Sequence, residues 1–108
     1  MTQNERLTKM KEIALKALNT GLEHLNNIEL EIDSVTDHSF KINRVYRNEH
    51  LIGGRTTYNF LSFDFNTFRK SLARGSFFGN DERVAAIKAW NSIVDDLNNL
   101  LNDIKKGE

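Results

Sequence analysis

The chain has 108 residues, 15 basic and 15 acidic side chains, and neither cysteine nor proline. That length suits one domain and excludes a multidomain enzyme or a (β/α)₈ barrel. The lack of cysteine excludes a disulfide framework, a thiolate metal site and a cysteine nucleophile.

The first predicted element is a helix. Leu7, Met10, Ala14, Leu18, Leu22 and Leu25 recur at spacings of three or four, which gathers them on one face. Thr2 followed by Glu5 fits a capping box, in which hydroxyl and carboxylate satisfy free N–H groups of the first turn. From residue 28 the period falls to two. Ile28, Leu30 and Ile32 alternate with Glu29, Glu31 and Asp33, predicting a half-buried strand with a carboxylate face toward solvent. Ser39 to Arg47, rich in Phe, Ile, Val and Tyr, predicts a second strand. Arg55 to Phe63 predicts a third, entered through Gly53-Gly54. Phe65, Phe68 and Leu72 then predict a short helix, begun near Asp64 or Asn66 and stopped by Gly75. In the last helix, Ile87, Trp90, Val94, Leu97, Leu101 and Ile104 alternate spacings of three and four. Asn80 is its expected N-cap, with Asp81 and Glu82 suited to its N-terminus and Lys105 and Lys106 to its C-terminus.

The order α-β-β-β-α-α with short connections predicts an antiparallel three-stranded meander, because parallel pairing needs long crossovers. Covered on one face by helices, it makes a single two-layer α+β domain over residues 1–108. Each outer helix would be roughly 37 Å long at 1.5 Å per residue, nearly overhanging so small a domain. An antiparallel helix pair is therefore expected, within one chain or between two. The apolar stripe of the last helix is read first as an internal seam. Its competing use is a homodimer through that C-terminal helix.

The zero net charge hides a segregation. Residues 1–37 carry a net of −3, residues 38–76 a net of +5, and residues 77–108 a net of −2. All seven Phe and both Tyr lie between Phe40 and Phe78, and only Trp90 falls outside. The middle third is both basic and aromatic, and its flanks are neither. Asparagine occurs 13 times, dispersed along the chain, which suits a low-GC bacterium or its phages and plasmids. No stretch approaches the roughly 18 apolar residues of a membrane span. The N-terminal MTQNERLTKMKE has no apolar signal core, so a cytoplasmic location is expected.

Catalytic chemistry finds little footing. His24, His38 and His50 lie 14 and 12 residues apart, without the spacing of metal ligands. Glu29, Glu31 and Asp33 line one strand face and have the oxygen donors for a divalent cation, but a solvated face or a guarded edge is the commoner meaning. Nucleophile signatures are missing, and Gly53-Gly54 lacks the spacing of a phosphate loop. No enzyme activity, catalytic residue, metal or cofactor is expected.

Binding is better served. Lys41, Asn43, Val45 and Arg47 share one face of the second strand, and Phe40, Ile42, Arg44 and Tyr46 the other. The third strand divides into Thr56, Tyr58 and Phe60 against Thr57, Asn59, Leu61 and Phe63. Apolar content on both faces predicts that one packs on helices while the other keeps an aromatic surface exposed. The candidate residues are Lys41, Arg44, Tyr46, Arg47, Arg55 and Tyr58, with the loop 48–54 beside them. A second cluster is Arg69, Lys70 and Arg74 on the short helix, followed by Phe77 and Phe78, one of which is expected to be an exposed anchor. Tyr and Arg dominate protein hot spots. The expected function is thus a small non-enzymatic binding module (an inhibitor, adaptor or regulator) for a partner protein with an acidic surface. The alternatives are nucleic-acid binding by the same surface, which the pI near 6.8 disfavours, and an oligomeric accessory or scaffold protein.

Overall fold

A computed structural model describes residues 1–48, 53–74 and 81–107. It begins with helix α1, Gln3–Glu23, closed by the expected capping box: the Glu5 amide donates to Thr2 Oγ1 at 3.1 Å, and the Thr2 amide to the Glu5 carboxylate. The buried face of α1 is not the leucine stripe. It is Met10, Ile13, Ala14, Ala17 and Gly21, while Leu22 is exposed and Leu18 and Leu25 are half-buried. Small residues let the helix axis approach the sheet, and the large ones straddle the contact from its sides. Gly21 marks the closest approach, since a Cβ there would lie 2.9 Å from the ring of Phe60 and 3.0 Å from a Leu30 methyl.

Four antiparallel strands follow: β1 Glu29–Val35, β2 Ser39–Arg47, β3 Arg55–Asp64 and β4 Arg69–Leu72, in the spatial order β1-β2-β3-β4. The α+β class and the meander hold, with one strand more and one helix fewer than the sequence predicts. The difference lies at 64–74, where no helix forms. The Asn66 amide donates to Asp64 Oδ1 at 2.7 Å, the Phe65 amide donates to the His38 carbonyl, and Phe68 takes a left-handed backbone with φ 54°. A left-handed residue ends any right-handed helix and here reverses the chain. Arg69, Lys70, Ser71 and Leu72 then pair with Asp64, Phe63, Ser62 and Leu61.

The register sorts the two faces. Toward the helices point the rows Leu30–Arg44–Tyr58, Ile32–Ile42–Leu61–Leu72 and Val35–Phe40–Phe63–Lys70. Away from them point Glu29–Val45–Thr57, Glu31–Asn43–Asn59 and Lys41–Ser62–Ser71. The β2–β3 ladder steps from Ile42↔Leu61 to Asn43↔Asn59, leaving Phe60 as a bulge residue, so Phe60 and Leu61 are both fully buried. A second irregularity falls in β1 between Ile32 and Ser34. The expectation of an aromatic outer face is overturned. Every described Phe and Tyr ring within the strands belongs to the helix side, where the bulge and the register place them, with Tyr58 still largely exposed at the end of the sheet.

Helix α2, Asp81–Lys106, closes the chain with Asp81 and Glu82 in its first turn and Lys105 and Lys106 in its last. It runs antiparallel to α1, with Lys16 bonded to Asp96 at 2.9 Å while Met1 lies beside Gly107. The helix pair is therefore internal. With 26 residues α2 is about 39 Å long at 1.5 Å per residue, in a molecule 52 × 27 × 23 Å. Its buried stripe is Ala85, Ala86, Ala89, Ile93, Leu97 and Leu100. Of the expected seam only Leu97 is buried, whereas Trp90, Val94, Leu101 and Ile104 are half-buried and Ile87 is exposed. Alanines face α1 and the sheet, so the bulkier stripe turns to one flank. No described helix is long and apolar enough to cross a membrane. The expected N-cap Asn80, the stop Gly75, His50, the anchors Phe77 and Phe78, and residues 49–52 of the loop lie outside the described residues.

Candidate functional site

The basic middle of the chain is largely neutralised from within. Arg44 Nε donates to Glu82 Oε1 at 3.0 Å, with both side chains mostly buried, and Arg44 also bonds the Val45 carbonyl. Arg47 makes a two-pronged pair with Glu29, at 2.7 and 2.8 Å. Arg55 pairs with Glu31, crossing the row of Val45 to reach it, and Val45 is only 2% exposed as a result. Glu29 and Glu31 of β1 and Arg47 and Arg55 of β2 and β3 are thus one interlocked outer layer, while Arg44 is held on the helix side. Arg47 holds the Glu29 carboxyl below its ordinary range, and Glu29 in turn raises the Arg47 guanidinium. The three arginines therefore offer little free charge to a ligand. Sequence alone assigns them to a binding surface because it does not show which carboxylates lie opposite them.

At the end of the sheet near the start of α2, Tyr46, Tyr58 and Arg44 form a small cluster. The Arg44 guanidinium stacks 3.8 Å from the centroid of Tyr46, whose hydroxyl donates to Glu82 at 2.9 Å. Desolvation, then acceptance by Glu82, raises the Tyr46 hydroxyl above its ordinary pKa. Tyr58 meets Tyr46 edge to face at 5.3 Å and is 60% exposed. This cluster is satisfied internally except for the outer side of Tyr58.

The opposite end holds the more open site. A groove of about 270 Å³ lies between the β3–β4 turn and the flank of α2. Its floor is aromatic, with Phe63 packed 5.0 Å from Phe65 and 5.5 Å from Trp90, and Val94 and Leu101 extend it along the helix. At its mouth Lys70 reaches over the Trp90 ring, 4.7 Å from the centroid. Phe68 stands beside it with 64% of its surface in solvent. A bulky side chain is costly in the left-handed region and gains little when exposed, so this position is unfavourable on both counts.

Of the sequence candidates Lys70 lines the groove, while Arg69 and Arg74 lie on either side of it in the chain; all three are exposed. Among the described residues no carboxylate lies within ion-pair distance of these three or of Lys41, which stands exposed on the outer face. Phe68 and Trp90 are members that sequence reasoning placed on helical core faces. The signal for Trp90 was available in the apolar surplus of the last helix, which has a second stripe beside its alanines; Phe68 had none. Among the described residues no group of three metal-ligating side chains gathers. No protein-family model matches the chain, and comparison with curated proteins and with solved structures finds no match.

Proposed function

We propose that this chain is a non-enzymatic binding module that engages a partner protein through the groove between the β3–β4 turn and α2. One observation carries the reading: Phe68, the most exposed large apolar residue described, is held in a left-handed backbone at the mouth of an aromatic groove. Aromatic anchors beside an unpaired cation are what protein hot spots are made of. The cations Arg69, Lys70 and Arg74, none of them ion-paired with a described residue, favour an acidic partner, and the expected setting is the cytoplasm. Nucleic-acid binding is the weaker reading, because Arg44, Arg47 and Arg55 are already occupied by Glu82, Glu29 and Glu31.

The test is affinity capture from host lysate with and without nuclease, using the wild-type protein and Phe68→Asn. Asparagine tolerates the left-handed backbone while removing the ring. A stoichiometric protein that survives nuclease and is lost with the variant supports the proposal. Capture that is indifferent to Phe68 overturns the groove, and nucleic acid as the captured species overturns the partner class.

A further inference from the structure

Strand β4 is an edge, and its hydrogen-bonding groups have a direction. The Ala73 amide donates to the Phe60 carbonyl at 2.8 Å, so residue 73 faces β3. Alternation along an antiparallel strand then turns Ser71 and Arg69 the same way, and points the N–H and C=O of Lys70 and Leu72 outward. No backbone hydrogen bond from a described residue meets those outward groups. The flank of α2 that Lys70 reaches over carries Trp90 and Val94, both half-buried, and on the same helix Ile87 is 37% exposed. An apolar helix flank thus lies beside the last strand with part of its surface in solvent.

We infer that the partner seen by this site is an extended protein segment that adds to the sheet as a fifth strand beside β4, its residues alternating apolar and acidic. This rests on the protein-binding reading above and specifies its mode. Alternate side chains of such a strand point to opposite faces. The inward set lies on Ile87, Trp90 and Val94, as edge-adding peptides use main-chain bonds for affinity and side-chain pockets for specificity. The outward set runs past Arg69, which stands opposite Asp64 without an ion pair, and toward Arg74, which has no described carboxylate within ion-pair distance.

A second copy of this chain fits the edge poorly. Pairing β4 with itself offers a ladder of only four residues and crowds four cations, Arg69 and Lys70 from each copy, onto it. Pairing β4 with the other edge meets an irregular ladder in β1, and the acids there are already held by Arg47 and Arg55. The complementary charge must come from a different chain.

The experiment uses the full chain and a pool of eight-residue peptides alternating Glu with Val, Leu or Phe, read by the emission of Trp90, the single tryptophan. The expected result is saturable binding that shifts this emission. Replacing every Glu by Lys should weaken it by at least about tenfold. N-methyl groups on alternate residues are the decisive arm. In one phase they block the amides that face β4 and weaken binding by roughly tenfold or more; in the other they face solvent and leave it unchanged. Equal effects of both phases, or no binding by any acidic peptide, overturn strand addition. So does a homodimer in sedimentation that the peptides fail to dissociate. If the lysate partner still depends on Phe68 while the peptides fail, only the strand mode falls. If capture ignores Phe68, the groove falls as well.

Discussion

Replacing Gly21 with alanine tests the packing of α1 on the sheet, because two strong effects oppose each other there. Alanine in a helix interior is favoured over glycine by about 1 kcal/mol, so the sequence alone predicts stabilisation. In the fold the new methyl would sit 2.9 Å from Cε2 and Cζ of Phe60 and 3.0 Å from Leu30 Cδ1. Comfortable carbon contacts begin near 3.5 Å, so both neighbours must retreat by about half an ångström. They have little room, as Phe60 is fully buried and Leu30 is 8% exposed. Overpacking of this kind costs about 1–3 kcal/mol, which outweighs the propensity gain and leaves a net loss of about 1 kcal/mol. In a domain of this size that lowers Tm by roughly 5 °C. Thermal melts and urea titrations followed by circular dichroism measure it. Asn19→Ala, on the solvent face of the same helix, should instead gain a few tenths of a kcal/mol. Combining Gly21→Ala with Phe60→Leu should cost less than the sum of the two, because the smaller side chain accepts the methyl. A Gly21→Ala protein as stable as the wild type would refute the close packing of α1 on the bulge.

At Phe68 the usual order of alanine and glycine should invert: Phe68→Gly is expected to be more stable than Phe68→Ala by about 1 kcal/mol in urea titrations, since only glycine adopts φ 54° without a Cβ penalty. Glu82→Ala should destabilise by about 2 kcal/mol, because it leaves a mostly buried guanidinium and the Tyr46 hydroxyl without their shared acceptor; Arg44→Met, which removes the charge itself, should cost less. The Glu29 carboxyl has its folded pKa depressed below 4.5 by Arg47, so its contribution is present above pH 4.5 and is lost as pH falls through the folded value. The gap in urea midpoint between wild type and Glu29→Gln should therefore close on acidification from pH 7 to pH 3. Tyr46 has the opposite sign, its neutral form being favoured in the folded state, so its contribution is present below pH 10.0 and fades as pH rises through the raised folded value. In a Tyr58→Phe background, absorbance titration should show the remaining tyrosine ionising above 10.0.

The features legible in the sequence are those carried by neighbours along the chain. Thr2 and Glu5 specify a helix start because a capping box closes within four residues, and the charges of Asp81, Glu82, Lys105 and Lys106 mark the ends of α2 in the same local way. The alternation from Glu29 to Ile32 and from Ser39 to Arg47 identifies strands, and short connections make them antiparallel. Tertiary structure decided whatever depends on distance between elements. Ala85, Ala86, Ala89 and Gly21 are buried in preference to Ile87 and Leu22 because a close helix contact rewards small volume over hydrophobicity, which periodicity does not register. Phe65, Phe68 and Leu72 have helical spacing, yet a left-handed turn and pairing with β3 made this stretch the end of a hairpin. The charge segregation pointed to a basic surface, but register set Glu29 and Glu31, and the packing of α2 set Glu82, against its arginines, leaving Lys41, Arg69, Lys70 and Arg74 without a described ion pair. Composition determines how many charges a chain has; only the packing of strands and helices determines which of them remain free to meet a partner.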